Sequence, residues 1–351
     1  MTELVVVAGA TGFVGRYLVR ELSDRGYRVR AIVRSRTRAE QPGAFGAPSL
    51  QGRVAEWREG DVTSPQFVAG VCEGADRVCS ALGVTRQRAS PWDVDYGANL
   101  RLLEEAERAS ARSFLFVNVM HAEARRSLIM RSKAAFTEAL IRSSIAHQVV
   151  NPSAYFSDMG EFLSMARSGF VLLPPRRETR IAPIHGADLA AFCADEMDDT
   201  SGSWDVGGPD VLTFDQVGRL AAAAVGKPCR MIRIPQAAVT AGVWAARRIG
   251  GRTAVLAEFL SEGLSHDAIG QRCGEHHLEE FFRGLAQEEP AYEHPLGHHI
   301  ALTRLPFSSH RPVQSSWSVA PATIRPRRHQ EDMPREDPAP PIGGQDAAPL
   351  G

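Results

Sequence analysis

The sequence predicts an α/β protein built on a doubly wound parallel sheet, with a smaller substrate region towards the C-terminus. Two observations carry this prediction: strand-like apolar runs alternate with helical patterns through the first 152 residues, and a glycine-rich turn joins the first run to the first helix. Such alternation is typical of βαβ units, because two parallel strands need a crossover connection that is usually a helix.

Six strands are predicted in this part of the chain. The runs LVVVA (4–8) and RVRAIV (28–33) are followed by runs near 54–58, 75–82, 114–119 and 147–152. Helical patterns fill intervals at about 12–25, 96–109 and 125–143. A later helix is predicted to begin after Thr213, an N-cap residue with Gln216 three positions on, and to end at Gly226.

The chain is expected to have three parts. These are a nucleotide-binding domain at 1–152, a substrate-binding region at 153–287 that can share strands with it, and a tail at 288–351. Of the 22 prolines, 11 fall after position 288, where apolar periodicity is also lost. Such a segment cannot bury enough surface to offset its ordering entropy, so the tail is predicted to be disordered.

Composition favours a reduced, intracellular setting. The formal net charge of −1 and the pI near 6.8 give no overall field that would attract nucleic acid or a membrane. Five scattered cysteines lack metal-ligand spacing, which predicts free thiols and no metal site. With no leader pattern, and with the longest small-apolar stretch (237–246) too short to span a bilayer, we expect a cytoplasmic protein.

The segment GATGFVG at 9–15 predicts a dinucleotide-binding turn, and with it a Rossmann-type fold. Gly9 would permit the tight turn, Gly12 the approach of a pyrophosphate, and Gly15 close packing of helix on strand. The cofactor-contacting residues expected here are Gly9, Thr11, Gly12, Phe13, Val14 and Gly15. An ordinary strand-to-helix turn is the alternative.

The residue that ends the second strand favours NADP(H) over NAD(H). An acid at this position bonds the ribose 2′-hydroxyl, whereas an arginine accommodates a 2′-phosphate. Here the residue is Arg34, with Arg36 and Arg38 close behind. NAD(H) remains possible, because Arg34 can also be a solvated strand end.

With these motifs the chain resembles the atypical and extended short-chain dehydrogenase/reductase superfamily, particularly its NmrA-like and isoflavone-reductase-like branches, over about residues 3–287. Further matching segments are GDV (60–62), SALG (80–83), Asn99, NPSAYFSDM (151–159) and PIHGADLA (183–190). The resemblance implies that Asp61 and Val62 flank the adenine. It also implies that Ala81, Leu82 and Gly83 line the cofactor near the nicotinamide ribose. For Asn99 it implies a structural or proton-relay role. The alternatives are that Asp61 simply opens a turn and that Asn99 is an exposed helix residue.

The usual catalytic pattern of that superfamily is incomplete in this chain. Its Tyr-x-x-x-Lys pair is represented only by Lys133, because Ile129 stands four residues earlier. Its serine is also missing, since Asn118, Val119 and Met120 occupy the end of the fifth strand. The resemblance to isoflavone-reductase-like proteins implies that Lys133 acts as acid/base; binding the cofactor ribose is the alternative role.

His121 is the second catalytic candidate, because it follows the fifth strand where a substrate carbonyl would lie and imidazole is a common general acid/base. A structural, hydrogen-bonded histidine is the alternative. His185 is expected to support the start of the following helix. Tyr155, Phe156 and Met159, with Asn151, are expected to line the substrate pocket.

These features predict an NAD(P)H-dependent oxidoreductase that moves hydride between nicotinamide and the carbonyl or activated double bond of a small organic substrate. The alternatives are a non-catalytic, NmrA-like dinucleotide sensor and a scaffold protein that retains the cofactor for stability. A homodimer or a partner protein is possible under each of them.

Overall fold

The protein is described by a computed structural model, which covers residues 2–84, 89–124 and 126–287. The predicted disordered tail at 288–351 lies outside the described residues.

Eight strands form the main sheet, and all of its neighbouring strands run parallel. They are β1 (Leu4–Ala8), β2 (Arg28–Val33), β3 (Glu56–Glu59), β4 (Arg77–Ser80), β5 (Ser113–Val117), β6 (Ala146–Pro152), β11 (Gly202–Gly207) and β14 (Gln271–Arg272). Their spatial order is β14-β11-β6-β5-β4-β1-β2-β3. The order reverses between β1 and β4, and the crevice beyond the carboxyl ends of strands at such a point is where α/β sheets bind ligands.

Three two-stranded sheets complete the strands. They pair β7 (Ala154–Tyr155) with β10 (Pro183–Ile184), β8 (Phe170–Leu173) with β13 (Arg230–Arg233), and β9 (Arg180–Ile181) with β12 (Leu212–Thr213). Helices α1 to α11 cover Phe13–Asp24, Arg36–Ala39, Pro65–Val68, Asn99–Arg108, Leu128–Ile141, Phe156–Arg167, Gly186–Asp195, Phe214–Val225, Gln236–Ile249, Gly251–Gly263 and Leu278–Gln287. Among the described residues, none of the helices combines the length and apolarity needed to cross a bilayer.

The predicted doubly wound fold is confirmed, and each of the six predicted strands is present. The two additional strands of the main sheet, β11 and β14, come from the 153–287 region. Neither strand has a strong sequence signal, because β11 contains two glycines and β14 has only two residues, both exposed. The later helix α8 begins as predicted, with a capping box between Thr213 and Gln216, and ends at Gly226 with φ of +67°.

Apolar layers cover both faces of the sheet. The cluster on one face joins β1 and β2 to α1 and α7, and the cluster on the other joins β4 and β5 to α4 and α5. β1 is buried along its whole length, as expected for a central parallel strand. A third cluster lies among α6, α8 and α11. This packing fixes the strand ends that carry the candidate site.

Candidate functional site

The glycine-rich turn between β1 and α1 has a shape that other residues would strain. Gly9 has φ of +76°, and a Cβ there would lie 2.6 Å from the Ala81 carbonyl oxygen. A Cβ on Gly15 would lie 2.1 Å from the Gly9 carbonyl oxygen. Gly12 is the N-cap of α1 and provides no side-chain hydrogen bond, so the first N–H groups of this 12-residue helix lack a side-chain cap. The turn therefore fits a bound pyrophosphate.

A buried arginine, absent from the sequence-based prediction, ties this turn to the segment after β2. Arg16 is 3% exposed, and its guanidinium donates to the Thr11 carbonyl oxygen at 3.2 Å. It also donates at 2.7–3.1 Å to four carbonyl oxygens, those of Arg38, Ala39, Gln41 and Pro48. The available signal was a charged residue between the buried positions of an amphipathic helix, where a long side chain must find internal partners.

The other predicted members of the turn differ in exposure. Thr11 and Phe13 are half-buried, whereas Val14 is buried in the cluster shared by α1 and α7. The Phe13 ring packs edge-on against Tyr17 with centroids 5.3 Å apart. Because its side chain is buried, Val14 can contact a cofactor only through its backbone.

Arg34, the residue predicted to select the cofactor, directly follows β2 and is exposed, as are Arg36 and Arg38. Arg36 pairs with Glu40 at 2.8 Å, and its guanidinium lies over the Trp57 ring, 5.4 Å from the centroid. Arg34 thus stands at the strand end where a 2′-phosphate would be met, and the guanidinium of Arg36 is already engaged with its neighbours.

Asp61 and Val62 follow β3 at the same edge of the sheet. Oδ1 of Asp61 accepts hydrogen bonds from the N–H and the hydroxyl of Thr63, at 2.9 and 2.8 Å. These bonds lower the pKa of the Asp61 carboxyl, and the positive charge of Arg34 adds to the effect. Asp61 therefore opens a turn, as its alternative role required, while Val62 packs against the core. Their place beside an adenine stays a prediction.

A buried ion pair forms the centre of the candidate active site. Lys133 on α5 is 7% exposed, and its Nζ lies 3.3 Å from Oδ1 of the fully buried Asp95. The same Nζ is 3.4 Å from the Val117 carbonyl oxygen and 3.5 Å from that of Leu82. It also lies 4.8 Å from the centre of the Phe116 ring. Three acceptors and the face of a ring thus surround a group with three N–H donors.

Asp95, which the sequence did not reveal, belongs to a π-helical turn over Trp92–Ala98. Its Oδ2 accepts the Val84 N–H at 3.2 Å. Burial raises the pKa of Asp95 above its usual range, and the charge of Lys133 opposes that rise. Because π-helical turns are rare and often occur at functional sites, this turn would be a candidate site feature even without the lysine.

Asn99 anchors that turn to the end of β4. It accepts the Ser80 hydroxyl at 2.5 Å and donates to the carbonyl oxygens of Val94 and Asp95 at 3.3 and 3.0 Å. Asn99 is fully buried, so the alternative of an exposed helix residue is wrong. Its contacts are structural, since they hold the backbone from which Asp95 projects.

The predicted segment Ala81, Leu82 and Gly83 reaches the ion pair. A Cβ on Gly83 would lie 3.5 Å from Oδ1 of Asp95 and 3.7 Å from Nζ of Lys133. Because Ala81 also abuts Gly9, this short segment connects the glycine turn to the lysine. The structure therefore brings the predicted phosphate turn, nicotinamide segment and lysine to one edge of the sheet.

The positions that carry hydroxyls in the superfamily hold other groups here. Ile129 is 1% exposed and packs in the interior. Asn118, after β5, donates through Nδ2 to Oδ1 of Asn151 at 2.8 Å, and Asn151 donates in turn to Asp205 at 3.0 Å. The Oδ1 atom of Asn118 is buried without a hydrogen-bond partner among the described residues. A buried acceptor thus remains available near the end of β5.

His121 lies in the loop after β5 with φ of +61°, and its Nε2 is 2.9 Å from the Asp267 carbonyl oxygen. Since a carbonyl oxygen only accepts, we assign the proton in this contact to Nε2. Nδ1 lies 3.8 Å from the Glu123 carboxylate. These contacts match the structural role that the sequence left open; a catalytic role stays a prediction.

The remaining predicted residues lie in or beside α6 and α7. Phe156 and Met159 are 1% and 5% exposed and belong to the cluster among α6, α8 and α11. Tyr155 is half-buried, and burial raises the pKa of its phenol well above the ordinary value. His185 caps α7, where its Nδ1 accepts the Ala187 N–H at 3.3 Å, as its predicted supporting role requires. Contact of the first three residues with a substrate stays a prediction.

The match to a known family covers more than half of the chain, residues 9–200, and that family is described as NAD(P)H-binding. The chain belongs to this family. The predicted cofactor, NADP(H) with NAD(H) possible, is thereby confirmed at the level of NAD(P)H. The superfamily resemblance inferred from the glycine turn and the later motifs is confirmed as well.

Two relatives in this NAD(P)H-binding group are named as reductases. The maize protein named divinyl chlorophyllide a 8-vinyl-reductase, chloroplastic, is 30% identical over 260 residues, which cover 68% of this chain and 64% of the maize protein. Ceramide reductase of Caulobacter vibrioides is 30% identical over 252 residues, which cover 68% of this chain and 76% of that protein. The chain thus spans only part of the maize relative's length.

The fold also matches solved structures. An NADPH-dependent quinone oxidoreductase of Escherichia coli, complexed with NADPH, superposes with a TM-score of 0.61 at 17% identity, over 80% of this chain and 99% of that chain. At this identity the likeness establishes a common fold, which is the Rossmann-type arrangement described above.

Proposed function

We propose that the protein is an NADP(H)-dependent oxidoreductase of the atypical short-chain type, with Lys133 as the proton-transferring group. The observation that carries this proposal is the buried pair of Lys133 and Asp95 beside Gly83, at the sheet edge that also holds the glycine turn. When bound, NADPH supplies hydride from C4 of its nicotinamide. The names of the two reductase relatives support the same reaction class.

The environment of Lys133 suits a group that must release one of its protons. Its three contacts with oxygen span 3.3–3.5 Å, longer than the usual 2.7–3.2 Å of an N–H to oxygen bond. None of the acceptors therefore holds the ammonium tightly, and a small movement would direct one N–H to a substrate oxygen or carbanion. Lysine, unlike arginine, can complete such a transfer.

Composition supports a specific need for lysine at this position. The chain has 40 lysine and arginine residues, of which only Lys133 and Lys227 are lysine. Nearly all cations of this chain are arginines, which keep their proton in proteins. At the buried position 133 the chain instead has a lysine, the cationic side chain that can give up its proton.

Asp95 acts in this proposal as a positioning residue. Its carboxylate accepts a hydrogen bond from the Val84 N–H and faces the lysine, so one side chain holds the loop after β4 and places a counter-charge beside the ammonium. The buried Asn118 Oδ1 offers a second polar contact for a substrate. Arg34, exposed at the end of β2, would accommodate the 2′-phosphate of NADP(H).

The substrate class that fits is a small organic molecule with a carbonyl or an activated carbon–carbon double bond. One relative's name specifies a vinyl reductase and the other's a ceramide reductase, so both names support an organic acceptor for the hydride. Lys133 would donate its proton to the substrate oxygen or carbon that gains the electron pair when the neighbouring electrophilic carbon is reduced.

A non-catalytic dinucleotide sensor, or a scaffold that keeps the cofactor for stability, is the second candidate. The specific observation in its favour is Ile129, whose buried aliphatic side chain stands where the superfamily has its catalytic tyrosine. In this case cofactor binding would change a surface that contacts a partner protein, and the ion pair would be purely structural.

NADPH oxidation by the purified protein distinguishes these candidates. The assay uses a panel of quinones, enones, imines and aldehydes, with NADPH binding measured in parallel by calorimetry. Turnover with at least one class, lost in Lys133→Met and kept in Lys227→Met, is the expected result. NADPH binding without turnover across the panel would favour the sensor or scaffold instead.

A further inference from the structure

A cleft of about 900 Å³ lies in the C-terminal region, and neither Lys133 nor Asp95 lines it. One wall comes from the connection between β8 and β9, residues 176–180, and the other from the connection between α10 and β14, residues 265–267. All of the lining side chains are polar or charged, including that of Thr213, the N-cap residue of α8. The volume is within the roughly 300–1,000 Å³ of ordinary small-molecule sites. The cleft therefore has room for a polar part of an organic molecule.

Positive charge is in excess in this cleft. Its ionisable side chains are three arginines, two acids and one histidine, namely Arg176, Arg177, Arg180, Glu178, Asp267 and His266. Arg180 and Asp267 neutralise each other, because Nε and Nη2 of the arginine lie 3.0 and 2.8 Å from Oδ2 of the carboxylate. Arg176 donates to a neutral group in the opposite wall, the carbonyl oxygen of Ser265, at 2.7 Å. No hydrogen bond or ion pair engages Arg177 within the described part of the chain, so two exposed guanidinium groups without a carboxylate partner stand against the single acid Glu178.

A third acid, Glu262 on α10, adjoins the cleft through His266 but is already engaged. Its Oε2 lies 3.2 Å from Nη1 of Arg126 and 3.6 Å from Nδ1 of His266. Arg126 also contacts the His266 ring. These three residues therefore bring one further arginine to the cleft without adding free negative charge.

The cleft adjoins the loop after β5, at the sheet edge that carries the candidate site. The carbonyl oxygen of Asp267 lies 2.9 Å from Nε2 of His121 in that loop. His121 is four residues from Val117, whose carbonyl oxygen is 3.4 Å from Nζ of Lys133. Because four residues span at most about 14 Å, a single elongated molecule can have one end at Lys133 and the other in the cleft.

We propose that the cleft binds a carboxylate or phosphate group at one end of the substrate, through the guanidinium groups of Arg176 and Arg177. A guanidinium suits either group, because its planar fork of N–H donors matches two oxygens of an anion. A neutral apolar group would gain little from a wholly polar lining, and a cationic group would meet two unpaired arginines. The inference rests on the proposed function and defines its substrate more closely, as an elongated organic anion whose reducible bond lies at Lys133.

Calorimetry tests the cleft without requiring turnover. The full chain is first saturated with NADPH, which keeps added anions away from the glycine turn, and is then titrated with nonanoate, nonyl phosphate and methyl nonanoate. These probes share an apolar chain and differ in the terminal group. We expect at least one anion to bind roughly tenfold more tightly than the neutral ester, the combined effect of two exposed ion pairs, and to lose that advantage at high salt. The more tightly bound anion identifies the group that the cleft takes.

Arg176→Gln with Arg177→Gln should reduce the affinity for the anion to that for the ester. Arg177→Gln alone, which breaks no contact within the described residues, should weaken anion binding several-fold without changing the melting temperature. The matched control is Arg142→Gln, at the exposed C-cap residue of α5, which should keep the wild-type preference. Equal wild-type affinities for the anions and the ester would overturn the proposal, as would a preference that survives the double variant.

Reduction of 9-oxononanoate and of its methyl ester by NADPH separates this inference from the proposed function. The acid should have a roughly tenfold higher kcat/KM, mainly through a lower KM, and the double variant should remove the difference. Arginine-dependent anion binding with no turnover of either aldehyde would uphold the cleft as an anion site while counting against the oxidoreductase. Turnover that does not distinguish the acid from the ester would refute the anionic substrate and leave the oxidoreductase intact.

Discussion

Substituting Lys133→Met should slow hydride transfer far more than it weakens NADPH binding. Methionine keeps the approximate length of the side chain but removes its proton and charge. If Lys133 is the acid/base, kcat falls by roughly 10²–10⁴-fold, the usual contribution of positioned proton transfer. NADPH affinity changes much less, because the pyrophosphate turn at Gly9–Gly15 is a separate element. Lys227→Met, which removes the chain's other, exposed lysine, is the matched control.

The structure also sets the energetic scale of the pair. At the 3.3 Å separation of Nζ and Oδ1, the gross attraction is about 5 kcal/mol for an effective dielectric constant of about 20. Desolvation offsets much of this attraction, but removing one partner of a buried pair typically costs roughly 3–5 kcal/mol. Lys133→Met and Asp95→Asn should therefore each lower the free energy of unfolding by about that amount, and the double variant should lose less than their sum.

Steady-state kinetics, calorimetry with NADPH and urea unfolding of the four proteins in this cycle provide the measurements. Lysine-selective isotope labelling adds a direct probe, since only two side-chain signals arise; NADPH should move that of Lys133 and leave that of Lys227. A large loss of NADPH affinity with kcat preserved at saturating cofactor would refute the reasoning. It would make Lys133 a ribose ligand and His121 the stronger candidate for proton transfer. Strictly additive unfolding energies would refute the positioning role of Asp95.

Four further outcomes are expected. Arg34→Asp should weaken NADPH binding more than NADH binding, and equal wild-type affinities with no relative change in the variant would remove the case for phosphate recognition. Arg16→Met leaves five carbonyl oxygens without its hydrogen bonds and should lower the free energy of unfolding by at least about 3 kcal/mol; a variant as stable as the wild type would contradict the anchoring role. Burial, helped by the charge of His276, lowers the pKa of His185 from 6.5 to about 4, so its contribution to stability is complete above pH 6.5 and declines as the pH falls towards 4. In His185→Asn, whose side chain can still cap α7, the free energy of unfolding measured with urea should therefore fall less between pH 7 and 4.5 than in the wild type, by about 1–2 kcal/mol. Parallel curves of this free energy against pH would disprove the prediction. Removing the residues after Glu288 should leave the melting temperature and NADPH affinity unchanged, whereas a loss of several degrees would show that the tail packs on the domain.

The parts of the fold that the sequence predicts are those governed by local patterns. Six strands of the main sheet, the glycine turn and the capping box of α8 follow from periodicity and from residue types within short windows. The edge strand β14 has no such signal. Its two residues form a strand because they pair with β11, and they show no apolar alternation. Lys133 was identified through the family's motif spacing.

The residues that the sequence did not reveal are those whose role depends on distant packing. Asp95 is 38 positions from Lys133, and the two meet only because a π-helical turn packs against α5. In the sequence Arg16 resembles any other arginine on an amphipathic helix. Its role depends on the segment after β2, whose carbonyl oxygens accept its hydrogen bonds in the folded protein. A buried charge is expensive unless it is paired, so both side chains would be identifiable once burial is known, and sequence alone does not supply burial.

The pairing of Lys133 with Asp95 offers a physical account of how this fold can work without the tyrosine. In the superfamily's usual arrangement, a lysine cation lowers the pKa of a neighbouring phenol, which gives the proton. Here Ile129 closes that position with an apolar side chain, so in the proposed mechanism the lysine itself faces the substrate. A buried ammonium needs a counter-charge, which Asp95 supplies, yet it must not be held so firmly that an N–H cannot turn towards the substrate. Contacts of 3.3–3.5 Å with Asp95 and two carbonyl oxygens meet both requirements, because they keep the charge in place while leaving each N–H weakly bound.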